Sequence, residues 1–218
     1  MVSPHMRTKR STRERLLTAA AHLLSGNAPD AVTVRAIARE AGVAIGALYS
    51  YFSDRDDLLL AVVLDRFRTQ AEQAQELLTL AGSATVEANL VAFGRATVDG
   101  AAISMARVMT NRPELATRVR LALNAEGQPG FSAVEDAIAE YLGAEQALGR
   151  LADGANPAAA AALLVSAWHQ SLHRGDQDQN ADVVHDRVDR FVTTLMRGLN
   201  PTRNSSHTTR LGVDAEHS

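Results

Sequence analysis

The chain has no cysteine. That excludes disulfides, thiolate metal sites and a cysteine nucleophile together. Aromatic residues are scarce at 4%, with Trp168 the single tryptophan, so few positions are available for ring packing. Lys9 is the only lysine, and the rest of the basic charge is arginine. No run approaches the ~18 apolar residues of a membrane span. The opening "MVSPHMRTKRST" turns basic and then amphipathic instead of supplying the apolar core of a secretion signal. These features lead us to expect a cytoplasmic protein with no membrane partner. The formal net charge of -3 gives no sign of a nucleic-acid partner at the level of the whole chain. Gly-x-Ser-x-Gly, His-Glu-x-x-His, phosphate-loop and dinucleotide signatures are also missing, so no enzyme and no cofactor are expected.

What is present is helix. The chain is 46% hydrophobic and rich in alanine and leucine, both strong helix formers. Leu16, Leu17, Ala20, Leu23 and Leu24 share one face of a segment from Thr12 to Ser25. Thr33 stands where an N-cap belongs, with Ile37, Ala38 and Ala41 following at helical spacing. A second short helix covers Ala44 to Tyr51. "SDRD", Ser53 to Asp56, reads as a capping box opening a long helix to about Leu80. Further helical segments are expected over 85–109, from Pro113, over 131–142, from Asn156 to His173 and over 184–199. No strand pattern competes, so the chain reads as all-α. "PTRNSSHTTRLGVDAEHS", residues 201–218, has little to bury and is expected to be a disordered tail.

One stretch stands apart, "TVRAIAREAGVAIGALYSYF" from Thr33 to Phe52. Ala38 is small where two helices must approach, Gly42 suits a sharp turn, and Leu48 points the second helix back inward. At that spacing the three form the packing signature of a helix-turn-helix. The second helix has almost no charge and carries Gly46, Tyr49 and Tyr51. Glycine there lets a backbone approach a phosphate or base edge, and the tyrosine hydroxyls suit phosphate oxygens. Arg55 follows at a helix start, where free amides attract phosphate. Arg7, Lys9, Arg10 and Arg13 form a basic arm upstream, and residues 1–11 are expected to be flexible.

"TVRAIAREAGVAIGALYSYFSDRDDLL" resembles the N-terminal domain of the tetracycline-repressor (TetR) family of bacterial transcription regulators. The resemblance implies a three-helix DNA-binding domain over 12–57 and a larger helical ligand-binding and dimerisation domain over 58–200. It implies a homodimer on a pseudo-palindromic double-stranded operator, repression, and release by an unidentified small molecule. The DNA-contacting residues expected from it are Arg10, Thr33, Arg35, Ala44, Ile45, Gly46, Ala47, Tyr49, Ser50, Tyr51 and Arg55. Two departures stand out. Ala44 occupies a place commonly held by Ser or Thr, and Ala cannot cap a helix. The recognition helix also lacks Arg, Asn and Gln, so bidentate base reading is not available there. Ile45 and Ala47 against thymine methyls, Arg35, and DNA shape are left to choose the sequence.

For the C-terminal part, Phe93, Met105, Met109 and Trp168 are expected to line an apolar cavity, with Arg107 or His169 meeting a polar group. Ala161, Leu164, Trp168, Val188, Phe191 and Leu195 are expected at a dimer interface, because "AAAAALLVSAW" has weak sidedness. His169 and His173 lie at i and i+4, but no third ligand accompanies them, so no metal site is assigned. "DQDQNA" from Asp176 imitates a calcium loop, yet Ala181 and Arg187 stand where glycine and a closing glutamate are required. A helical enzyme, or a dimeric scaffold without DNA binding, is the alternative reading.

Overall fold

The computed structural model describes residues 4–26, 32–125, 130–173 and 181–200, apart from the side chains of residues 4–11, Phe131 and His173. The tail 201–218 and most of the calcium-like segment lie outside the described residues. The described chain is ten helices and a 3₁₀ turn, with no strand. They are α1 (Pro4–Gly26), α2 (Val34–Glu40), α3 (Ile45–Tyr49), α4 (Arg55–Leu77), the 3₁₀ turn Leu78–Leu80, α5 (Val86–Thr97), α6 (Gly100–Asn111), α7 (Pro113–Leu123), α8 (Phe131–Ala147), α9 (Pro157–His173) and α10 (Ala181–Leu199). Among the described residues no helix is long and apolar enough to cross a membrane.

Local chemistry sets most of the boundaries. Thr33, Asp54, Thr85, Asp99 and Asn156 each accept a hydrogen bond from the amide three residues on, at 2.7–3.2 Å. Each satisfies a donor that the first helical turn leaves unpaired, an interaction of order 1 kcal/mol. Three boundaries differ from expectation. Asp54, not Ser53, caps α4, and the Asp57 carboxylate accepts from the Ser53 amide at 3.0 Å, one residue before the cap amide that a capping box uses. The segment 85–109 is two helices, because Asp99 caps a new start and Gly100 lets α6 approach α1. α1 begins at Pro4, so residues expected as a flexible arm continue the helix. Proline, with no amide hydrogen to leave unsatisfied, suits a first turn.

Two apolar cores share α4. The first joins α1, α2, α3 and the front of α4, through Leu58, Leu59, Val62 and Val63, to Ala101, Met105, Val108, Leu115, Val119 and Leu123 of α6 and α7. The second joins the back of α4, through Ala74 and Leu77, to α5, α8, α9 and α10. The expected boundary at residues 57/58 therefore falls inside α4 and inside the first core. A polar staple ties the second core to the loop after α4. Glu145 is fully buried, 3.0 Å from Arg150 in an ion pair that lacks hydrogen-bond alignment, and accepts from the Gly82 amide at 3.3 Å. Beside it, burial pushes the Tyr141 phenol up to about 12, against a hydrogen bond from Asn89.

Four of the six residues expected at a dimer interface are covered within one chain. Ala161, Leu164, Trp168 and Val188 are 0%, 1%, 1% and 0% exposed inside one chain. α9 packs on α8, α10 and α6, so its stripe is covered from within. Phe191 and Leu195 are half-buried, and Leu195 packs on the same core. The outer face of α9 carries Leu163 instead, 62% exposed.

Trp168 is the centre of the second core, its ring 5.9 Å from that of Phe93. It fits because Gly94 has no side chain. A Cβ there would lie 2.8 Å from both the indole ring and Val188. Gly94→Ala should destabilise the fold by about 1–3 kcal/mol, the usual cost of overpacking, despite alanine's better helix propensity. Urea unfolding followed by Trp168 fluorescence checks this.

Candidate functional site

The turn between α2 and α3 is built from backbone chemistry. The Val43 amide donates to Ala38 O at 2.9 Å and the Gly42 amide to Arg39 O at 3.1 Å. These are the two bonds of a Schellman C-cap, which needs a left-handed residue between them. Gly42 supplies it at φ +64°. Val43 packs on the core, as the motif's apolar contact requires. Ile37, Ala38 and Leu48 are 0%, 1% and 0% exposed and lock α3 across α2. Ala38 and Leu48 thus sit where the sequence placed them.

Sequence reasoning missed the clamp over this turn. Arg15 on α1 donates to the carbonyls of Ala41 and, at 3.2 Å, Gly42. Nothing in local periodicity signals a contact spanning 26 residues. Arg13, expected as part of a DNA-seeking arm, has its guanidinium 5.7 Å above the Phe52 ring, a cation–π contact that secures the exit from α3.

The outer face of α3 is uncharged and open. Ile45 is 40% and Tyr49 54% exposed, and both flank Gly46. Nothing lies within 4 Å of where a Cβ on Gly46 would be, so packing gives no reason for glycine there. Thr33, Arg35 and Ala44 are exposed beside it, Ala47 is half-buried, and Ala44 makes no side-chain cap. The exposed Ser50 returns its hydroxyl to Gly46 O at 3.2 Å. Tyr51 is half-buried against the core and Arg55 half-buried at the start of α4. Arg10 falls on α1, with its side chain outside the described atoms. Thr33, Arg35, Ala44, Ile45, Gly46, Tyr49 and Ser50 are therefore all exposed, whereas Ala47, Tyr51 and Arg55 are half-buried.

Beyond the first core lies a cavity of about 960 Å³. Met105, Met109, Trp168 and His169 are in its lining. Phe93 and Arg107 are not in its lining. Phe93 is spent on the Trp168 ring, and Arg107 sits half-buried on α6. α4 contributes Val62, Phe67 and Gln70, and α7 contributes Val119 and Leu123. α7 also reaches the start of α4. Arg112 pairs with Asp56, and Arg118 lies 3.9 Å from Asp57.

Residues 16–62 match the sequence model described as bacterial regulatory proteins, tetR family. These residues form a DNA-binding domain of the tetR type, which supports a DNA-binding transcriptional regulator. The whole fold is similar to that of solved regulators. The TetR transcription regulatory protein from Mycobacterium vanbaalenii is 23% identical, with 90% of this chain and 99% of that one covered at a TM-score of 0.59. Reduced NemR from E. coli is 15% identical, with 88% and 99% covered at 0.62. SmeT, the repressor of the Stenotrophomonas maltophilia multidrug efflux pump SmeDEF, is 20% identical, with 88% and 94% covered at 0.53. At these identities the likeness is one of fold. No curated protein matches the sequence.

The left-handed turn gives a direct check. Gly42→Ala must hold alanine at positive φ and bring its Cβ to 3.0 Å from the Arg15 guanidinium. It should cost about 1–2 kcal/mol, measured by urea unfolding, and loosen α3 relative to α2.

Proposed function

We propose that this regulator is a cytoplasmic repressor that binds a pseudo-palindromic operator as a homodimer and leaves it when a small molecule fills the cavity. The observation that carries the DNA reading is Gly46, an exposed glycine inside a helix with open space where its Cβ would be. Glycine costs about 1 kcal/mol against alanine in a helix interior. The fold gains nothing from it, whereas a DNA backbone pressed against α3 does. Tyr49 then donates its hydroxyl to a phosphate, and Arg35 and Arg55 add charge at the rim. Ile45 and Ala47 meet thymine methyls, and groove shape supplies the remaining selectivity. The two reading heads lie in successive major grooves, with centres ~34–36 Å apart.

The proposed switch runs through α4 and α7. The cavity is lined by both, Arg112 at the N-cap of α7 pairs with Asp56 in the first turn of α4, and Arg118 of α7 lies 3.9 Å from Asp57. A ligand that favours one spacing of the heads shifts the population. Moving it from 1:99 to 99:1 takes ~5.5 kcal/mol of differential binding. The proposed dimer face is the outer side of α9 around Leu163 and the start of α10 at Val183, which remain exposed in one chain. The reading assigns the chain no catalysis and no cofactor.

Two sets of variants check these proposals. Against DNA flanking its own gene, Gly46→Ala should raise chain stability by roughly 0.5–1 kcal/mol and yet weaken gel-shift affinity. Tyr49→Phe should weaken binding about equally on all sequences, since a phosphate contact carries no base information. Unchanged affinity in both variants would remove α3 from the interface. In sedimentation, Leu163→Glu should yield folded monomers. Leu164→Arg, which buries a charge inside the chain, should unfold it by several kcal/mol.

A further inference from the structure

One wall of the cavity belongs to the reading head. Leu17, Ala21 and Leu24 of α1 line it, at the i, i+4, i+7 spacing of one helix face, with Thr18 and His22 beside them. The same helix also grips the DNA-facing unit. Arg15 holds the carbonyls of Ala41 and Gly42, and His22 Nδ1 lies 2.8 Å from Glu40 Oε1 on α2. α1 is seated on α6 with little room to adjust. A Cβ on Gly100 would come within 3.2 Å of Ser25 O. A molecule in the cavity thus presses on a helix one side chain away from the turn that sets α3.

The lining also restricts the chemistry of that molecule. Its polar groups are largely used within the protein. Arg66 donates to Asp99 at 3.1 Å and to the carbonyls of Ala96 and Thr97 at 3.2 and 2.9 Å. Gln70, 8% exposed, donates to Thr97 O at 3.1 Å, and Asp65 accepts from Arg68 at 2.7 Å. Together Arg66 and Gln70 brace the break between α5 and α6. The surface left over includes Leu17, Val62, Met105, Met109 and Val165, with Thr18, Gln73, Asn124 and the buried, unpartnered Trp168 Nε1–H as neutral hydrogen-bonding groups. Arg120 is in the lining but is exposed, where water already solvates it. An unpaired ion moved into such a site carries a desolvation cost that its walls do not offset. The volume is at the upper end of small-molecule pockets, and methionine walls adapt to shape.

We infer that the effector is an uncharged, mainly apolar molecule that touches α1 directly, so that the DNA-reading domain supplies part of its own effector site. This rests on the reading of the cavity as the effector site.

The test uses the full chain and two fluorescent probes of similar shape, uncharged N-phenyl-1-naphthylamine and its charged relative 1-anilinonaphthalene-8-sulfonate. The neutral probe should bind saturably, and the sulfonate about tenfold more weakly. Ala106→Trp fills the cavity from α6, while Ala21→Trp and Thr18→Trp fill it from α1. Thr18 is exposed, so its variant keeps the test alive if Ala21→Trp fails to fold by circular dichroism. Each folded variant should weaken the neutral probe at least about tenfold. If wild type binds neither probe, the effector-cavity reading itself falls and this inference with it. If Ala106→Trp abolishes binding while folded α1 variants bind like wild type, the cavity stands and the role of α1 is overturned. Equal or tighter binding of the sulfonate overturns the proposed ligand class.

Discussion

The seam between α1 and α4 is the contact on which the rest depends. Leu16 and Leu17 from α1 and Leu58 and Leu59 from α4 are essentially without exposure and lie in one core with Ile37 and Leu48. Close-packed interiors do not deform continuously. α3 therefore cannot move by itself. It moves with α1, α2 and the front of α4 as one body, while the back of α4 is held in the second core by Ala74 and Leu77. A regulator needs that coupling, because the reading surface is small and its position has to report what happens tens of residues away.

The reading surface itself is made by subtraction. α3 is five residues long, starts without a side-chain cap and presents no charge. Its orientation comes from around it: the left-handed turn at Gly42, the Arg15 clamp, and the Arg13 guanidinium over Phe52. A short uncapped helix held this way has little conformational freedom to lose when it meets DNA. Exposed Tyr49 and Ile45 are the side chains we propose as contacts, on either side of a glycine that would let a DNA backbone come close.

The parts of this arrangement that local chemistry determines were legible in the sequence. Thr33 caps α2, Gly42 turns the chain and Leu48 is buried, because capping, positive φ and helical period act over a few residues. The break at Asp99 was hidden because apolar residues continue at helical spacing across it, from Val91 through Val98 to Met105. The packing of the α9 stripe within one chain was hidden for a related reason. A run of alanines has weak sidedness, and only the positions of α8 and α10 decide that Leu164 faces in and Leu163 out. Arg15 and the α1 wall of the cavity were invisible because both are products of tertiary packing. So was the placement of Phe93, which the sequence put in the cavity and the fold spends on Trp168.

We propose that the α3 face reads DNA. Repeated selection of the wild-type chain against random-sequence duplexes at moderate salt tests it most directly, because it presupposes no operator. The account requires enrichment of a two-fold-related sequence with half-sites about one helical turn apart. That enrichment should disappear when Tyr49 and Ile45 are replaced together by alanine. A pool that stays random with the wild-type chain, or the same enriched sequence with the double variant, would contradict it.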